Sequence, residues 1–379
     1  MKPIYLDFNS TTPLAPSVQE AMLPFMSAHF AVPTGRYAMA RVVEESLEDS
    51  RGQVAKLIGA IPDEIVFTAS GTESCNLAIK GVMLRDFSAG PKHVVISSFE
   101  HPAVAESVKY LERFGCDVTV VPCDAHGIVH PEDVENAIRE ETRLVSIMLA
   151  NHDIGTIQPI RKITELCRSE KVAIHADATQ CIGKNRVQVG DLDVDLLSLS
   201  AHKFYGPKGA GALYVRTGVD LEPFVHGAGN ERGLRAGTEN VAAWIGMGKA
   251  ANLSARCIDE AADRQAKLRD RLQQGLFDAI SEPMTVHGAK SERLSNTLSI
   301  NFPKVSAAQM LKKCPEICVS TSSSSHTGSG NFSKTLRALG LREKESDGTM
   351  RLSVGWYTSE EEIDKAVSIL VHAWESLVS

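Results

Sequence analysis

A lysine at position 203 stands just past the apolar run 194–199, between His202 and the turn Gly206-Pro207-Lys208-Gly209. Most lysines belong to solvated loops. Here Ser200 and His202 put a hydroxyl and an imidazole beside the amine, and the two glycines let backbone approach closely. A half-buried lysine can lose its proton and form a Schiff base with an aldehyde cofactor. Upstream, a second apolar run, 172–176, ends in Asp177. A carboxylate there suits a helix N-cap. It equally suits a pyridinium nitrogen, which it would keep protonated so that the ring acts as an electron sink. Asp177 alone leaves the two uses even; Asp177 and Lys203 at the ends of successive strands favour the cofactor.

Three further segments carry polar groups where strands end. Ala69-Ser70-Gly71-Thr72-Glu73-Ser74 follows the strand-like 64–68 and opens a helical pattern. Small residues and free N–H groups at a helix start can cradle a phosphate, although spacing alone favours ordinary capping by Ser70 or Thr72. His101, in Ser98-Phe99-Glu100-His101-Pro102, reads by itself as a capped loop residue. The glycine-rich loop 227–240 reads by itself as a flexible surface connection, and Arg351 as a solvated residue at a strand edge.

These residues need a frame that brings strand ends together. Apolar runs at 64–68, 93–98, 118–121, 144–150, 172–176, 194–199 and 211–216 alternate with helical patterns, which implies an α/β fold with a mostly parallel sheet flanked by helices. Ligands then sit at the strand ends. Helices are predicted over 16–26, with Val18, Met22, Phe25 and Met26 on one face, and over 37–58, with Val42, Val43, Leu47, Val54 and Leu57 inward. A helix from 241 is followed by a separate charged helix, 259–272, opening a smaller α+β unit. Half-buried strands at 298–302 and 351–354 and a last helix at 359–377 complete it. The division is 15–250 for the large domain, with 1–14 and 251–379 in the small one.

The totals fit this frame. The 379 residues are 43% hydrophobic, enough for a sizeable core, and carry a net charge of −7 with no basic block, which argues against nucleic acid as the main ligand. No apolar run approaches membrane-spanning length and no signal peptide is evident, so a cytoplasmic protein is expected. The eight cysteines are scattered and read as buried free thiols. Cys314 and Cys318 are the one close pair, without partners for a metal site.

The segments around Asp177 and Lys203 resemble those of the cysteine desulfurase and selenocysteine lyase family, in the class V aminotransferase group of fold-type I pyridoxal-phosphate enzymes. The likeness runs from Tyr5-Leu6-Asp7 to Arg351-Leu352-Ser353-Val354-Gly355. It implies pyridoxal 5'-phosphate on Lys203, Asp177 at its ring nitrogen, Gln180 at its phenolic oxygen, and His101 stacked on the ring as a proton shuttle. It implies phosphate contacts from Gly71, Thr72, Ser200 and His202, and from Thr238 across a homodimer interface. Arg351 would clamp the carboxylate of an amino-acid substrate.

The chain departs from the family at three positions. The nucleophilic cysteine, which would take sulfur as a persulfide for an acceptor protein, aligns with Ser325 in the serine-rich stretch 319–329; a serine hydroxyl cannot carry a persulfide. His152 stands where the family has an asparagine near the phenolic oxygen. Val32 stands where it has an asparagine touching the substrate carboxylate, a loss of a hydrogen bond worth about 1 kcal/mol. Three activities follow as expectations: cleavage at the Cβ–S or Cβ–Se bond of cysteine or selenocysteine, with persulfide transfer in question; a diverged lyase or aminotransferase on another amino acid; or an inactive, cofactor-binding partner protein.

Overall fold

In a computed structural model, residues 3–85, 90–321 and 332–379 are described. In chain order, β1 is Ile4–Tyr5, β2 Ile65–Thr68, β3 Lys92–Ser97, β4 Cys116–Val121, β5 Thr142–Met148, β6 Ala173–Asp177, β7 Leu196–Ser200 and β8 Gly211–Val215. The remainder are β9 Thr285–Val286, β10 Thr297–Asn301, β11 Ile317–Cys318, β12 Ser320–Thr321 and β13 Thr349–Ser353. Among the described residues, seven of these strands form one sheet in the order β2-β8-β7-β6-β5-β3-β4. Strands β3 to β7 are parallel where they pair, and β8 runs antiparallel to both β2 and β7. Helices cover both faces, so β2, β3, β7 and β8 are buried along their whole length. The edge strand β4 is buried only at its two ends, with Asp117 and Val120 exposed.

The helices start and stop where the chain carries the right residues. The helix Ala38–Ile58 ends at Gly59, whose φ of 69° is the left-handed conformation that glycine adopts without strain. Ser70 accepts a hydrogen bond from the Glu73 amide and caps the helix Gly71–Leu84. Gly211 lets β8 pass close to that turn: a Cβ there would lie 2.4 Å from the Ser70 carbonyl carbon. Val42 does not face inward as expected but is 42% exposed, while Val43, Leu47, Val54 and Leu57 are buried. The first helix also stops early, at Met22, and continues as a 3-10 turn that leaves Met26 67% exposed.

The largest difference from expectation is the helix Val241–Ala279, 39 residues without interruption. Two helices were expected, with a start near 259. No glycine or proline falls between 250 and 259, so nothing there ends a helix; the charged residues are its solvent face. At about 1.5 Å per residue this helix is nearly 60 Å long. Its first half packs Trp244, Met247 and Ala250 into the core of the large sheet, and its second half packs Leu268, Leu272 and Leu276 into a second core. That second core also holds the four-stranded antiparallel sheet β12-β13-β10-β9 and the last helix, Glu360–Val378, which buries Ile363, Ala366 and Leu370. β1 pairs in parallel with β11, so the N-terminus is stitched to this second unit before Asp7 to Thr12 cross to the large sheet.

The glycine-rich loop is not merely a loose surface connection. Its Glu231 accepts two bonds from the Arg51 guanidinium, at 2.7 and 2.8 Å, and one from the Phe67 amide at 2.7 Å. Further on, Arg235 donates to Glu73 at 2.9 Å, fixing the loop to the start of the helix Gly71–Leu84. No helix of the described residues is long and apolar enough to cross a membrane.

Candidate active site

The C-terminal ends of β3, β5, β6 and β7 and the start of the helix Gly71–Leu84 converge on a cavity of about 310 Å³. Into it come Gly71, Thr72, His101, His152, Asp177, Gln180, Ser200, His202 and Lys203, all singled out from the sequence. Lys203 ends a 3-10 turn after β7. Its Nζ donates to the carbonyls of Asn9 at 2.5 Å and Ser10 at 2.9 Å. Burial, helped by the Arg351 guanidinium and opposed by Asp177 and Asp7, pulls this amine down to about 8. A substantial neutral fraction at neutral pH is what a carbonyl-attacking lysine needs.

Asp177 closes β6. Its Oδ1 accepts the Thr179 amide at 2.9 Å within a turn; no helix starts there, so it is not the helix N-cap that its position also suited, and it lines the cavity. His101 likewise does two things. Its Nδ1 accepts the Ala103 amide at 3.1 Å, capping the helix Pro102–Glu112, while its ring meets that of His152 edge to face at 5.6 Å. The Nδ1 that accepts cannot carry the proton, so a neutral His101 bears it on Nε2. His202 is held at about 4 by burial and by the neighbouring Lys203, Lys208 and Lys184, and stays uncharged; its Nδ1 lies 3.1 Å from the Thr11 hydroxyl.

Arg351 is not in solvent. Its guanidinium donates to Asp7 at 2.7 Å, to the Ser10 and Ser320 hydroxyls at 2.7 and 2.8 Å, and to Asp153 at 3.4 Å. Ser10 connects it to the cavity wall. Val32, 44% exposed, and Thr238, also exposed, lie outside the residues lining the cavity. Ser325 lies outside the described residues.

Sequence reasoning passed over Asn9, Lys184 and Glu100. Asn9 is fully buried; its carbonyl accepts from Lys203 and from Gln180 Nε2 (3.0 Å), and its side chain reaches Lys184, Asn296 and Thr297. Lys184 lies four residues after Gln180, a spacing that puts both on one side of a helical turn and is the one signal the sequence offered. Glu100 accepts from the Ser97 hydroxyl at 2.5 Å and the Met148 amide at 2.8 Å; burial pushes its carboxyl up to about 8, so it holds a proton at neutral pH.

This set fits an aldehyde-bearing pyridine phosphate. An amine with a lowered proton affinity and a carboxylate line one cavity. Beside them, a helix start offers the backbone of Gly71 and Thr72, where the glycine's missing Cβ leaves Thr179 and Ser200 at 3.1 and 3.2 Å.

Comparison with known proteins points the same way. Residues 4–366 match the Aminotransferase class-V family. A "Cysteine desulfurase IscS" of Dictyoglomus turgidum is 40% identical over 376 residues, 99% of this chain and 95% of that one. Another of Methanosarcina thermophila is 40% identical over 97% of this chain and 91% of its own length. A solved "NIFS-LIKE PROTEIN" superposes with a TM-score of 0.91 at 36% identity, covering 99% of both chains. The structure described as "SspA in complex with cysteine" does so with a TM-score of 0.82 at 34% identity, over 94% of this chain and 99% of that one.

Proposed function

Since the chain belongs to the class-V aminotransferase family and is a pyridoxal-phosphate-dependent, cysteine-desulfurase-like enzyme, we propose that it removes sulfur or selenium from the Cβ of cysteine or selenocysteine, yielding alanine, and passes the atom to a thiol other than residue 325. The carrying observation is the Lys203 amine, held by two backbone carbonyls in the same cavity as Asp177.

When bound, the cofactor supplies an electron sink for a carbanion at Cα. In our reading Lys203 would hold it and would also move the proton at Cα, a task suited to an amine near 8. Asp177 would keep the ring nitrogen protonated. Gln180 and His152 would serve the phenolic oxygen. His101 would stack on the ring and carry protons through Nε2. Gly71, Thr72, Ser200 and His202 hold the phosphate, and Thr238, exposed on its own chain, reaches the site of a second copy in a homodimer. Arg351 orients the substrate carboxylate without the amide that Val32 replaces. That guanidinium already carries Asp7 and Asp153, so a substrate carboxylate has to compete for it.

Sulfur leaves cysteine formally as S⁰ when alanine forms, and a thiolate must take it as a persulfide. Without a thiol at 325, the acceptor is an external thiol or a partner protein's cysteine; with excess dithiol, the sulfur ends as sulfide and the dithiol as disulfide. The test is incubation of the holoprotein with L-cysteine or L-selenocysteine and a dithiol, reading alanine, pyruvate, sulfide and selenide. Alanine matched by sulfide or selenide supports the proposal. Pyruvate and ammonia in place of alanine would assign β-elimination, the reading that the serine at 325 otherwise favours.

A further inference from the structure

A ring of three buried residues lies behind the cavity. Lys184 Nζ donates to Gln180 Oε1 at 2.7 Å and to Asn9 Oδ1 at 3.0 Å, and Gln180 Nε2 donates to the Asn9 carbonyl at 3.0 Å. Lys184 is 4% exposed and Gln180 8%. The two oxygens that Lys184 meets are neutral amide oxygens, an unusual setting for a buried lysine. Lys184 is the donor in both of its bonds, and the Asn9 carbonyl can only accept. Between them they decide which end of the Gln180 amide faces which partner. With the amide reversed, Nε2 would oppose the Lys184 donors and Oε1 would oppose the Asn9 carbonyl, two like-with-like contacts in a buried site.

Gln180 also lines the cavity. Resting on the assignment of that cavity to pyridoxal phosphate, we infer that Lys184 is a positioning residue: it fixes the Gln180 amide so that its NH₂, not its carbonyl, is presented to the cofactor's ring oxygen. Lys184 touches neither cofactor nor substrate and acts through Gln180. Asn9 closes the ring, and its carbonyl also accepts from Lys203, so the same three residues set the place of the reactive amine. Burial, together with the Lys203 and Arg351 cations, drives the Lys184 amine well below the usual lysine range. Asn9 Oδ1 keeps a second donor in Asn296 Nδ2, at 3.0 Å, so the bond that depends wholly on Lys184 is the one to Gln180.

The readout is the pH midpoint of the visible band of the cofactor-bound protein with no substrate present. A donor at the ring oxygen favours its anionic form. In Lys184→Met, Gln180 keeps the Asn9 carbonyl but loses the donor on its Oε1, and the midpoint rises by up to about one pH unit, tenfold in proton affinity. Loss of a nearby amine could shift the band directly, so the deciding comparison is made in Gln180→Leu. There the same Lys184→Met change is expected to move the midpoint little, because the residue it acts through is gone. A full shift in the Gln180→Leu background overturns the inference, as does an unchanged midpoint in Lys184→Met alone. Should Lys184→Met not fold, a crystal structure of the unaltered holoprotein decides: Lys184 Nζ within hydrogen-bond distance of the Gln180 amide supports the inference, and separation beyond 3.5 Å overturns it. A protein that takes up no cofactor and shows no visible band rejects the assignment of the cavity instead, which keeps the two failures distinct.

Discussion

The Lys203 amine is the group whose proton affinity the fold controls most usefully, and Arg351 is the means of perturbing it. At an ordinary 10.5, about 0.03% of a lysine is neutral at pH 7; at about 8, about 9% is, roughly 300-fold more. After burial, the Arg351 guanidinium contributes most to that lowering, while Asp177 and Asp7 work against it. Asp7 is also paired with Arg351 at 2.7 Å. Arg351→Gln therefore removes a cation and leaves a carboxylate unopposed, and both changes raise the proton affinity of Lys203. The assay is stopped-flow capture of added pyridoxal phosphate by the apoprotein from pH 6 to 10.5, with no amino acid present, so that substrate binding plays no part. The wild-type rate is expected to climb with a midpoint near 8. In Arg351→Gln the midpoint moves up, and each unit of movement slows capture at pH 7 about tenfold. A wild-type midpoint near 10.5, or one that falls on removing Arg351, would refute the reasoning.

Two further outcomes concern stability. Glu100 holds its proton to about 8 in the fold but ionises near 4.5 in the unfolded chain, so the folded state binds more protons between those values. Its contribution to stability is full below pH 4.5 and is lost as pH rises to 8; denaturant titrations of Glu100→Gln against wild type should show a difference growing by about 5 kcal/mol across that window. A difference that stays flat with pH contradicts it. Arg51→Met leaves Glu231 buried and uncompensated, with only the Phe67 amide to stabilise it, and is expected to cost about 3–5 kcal/mol in unfolding free energy.

The frame of the site was legible in the sequence because a buried parallel sheet writes itself as apolar runs, and the residues just past those runs are the ones that meet. Asp177 and Lys203 were found that way; His101 and Gly71 also follow such runs, but their roles came from the family resemblance. The long helix was misjudged at 250–259 because charge on one face resembles a new start, although no residue there ends a helix. Val42 lies beside Val43 on the same helix yet is exposed, because it falls outside the stripe of Ala40, Val43 and Leu47 that faces the core there. Asn9 and Lys184 were missed for a different reason: each matters only through partners far along the chain, such as Asn296 and Thr297 for Asn9. That His101 caps a helix and also lines the cavity, and that Asp177 holds a turn amide and also lines it, emerged only from the fold.

The central claim is that Lys203 is the residue that bonds the cofactor. Borohydride reduction of the holoprotein, followed by proteolysis and mass spectrometry, tests it directly by making that bond permanent. The account predicts one pyridoxyl-phosphate group per chain, on the peptide carrying Lys203, with Lys184 and Lys208 unmodified. A label on another lysine, or none in a protein that retains the cofactor, contradicts it.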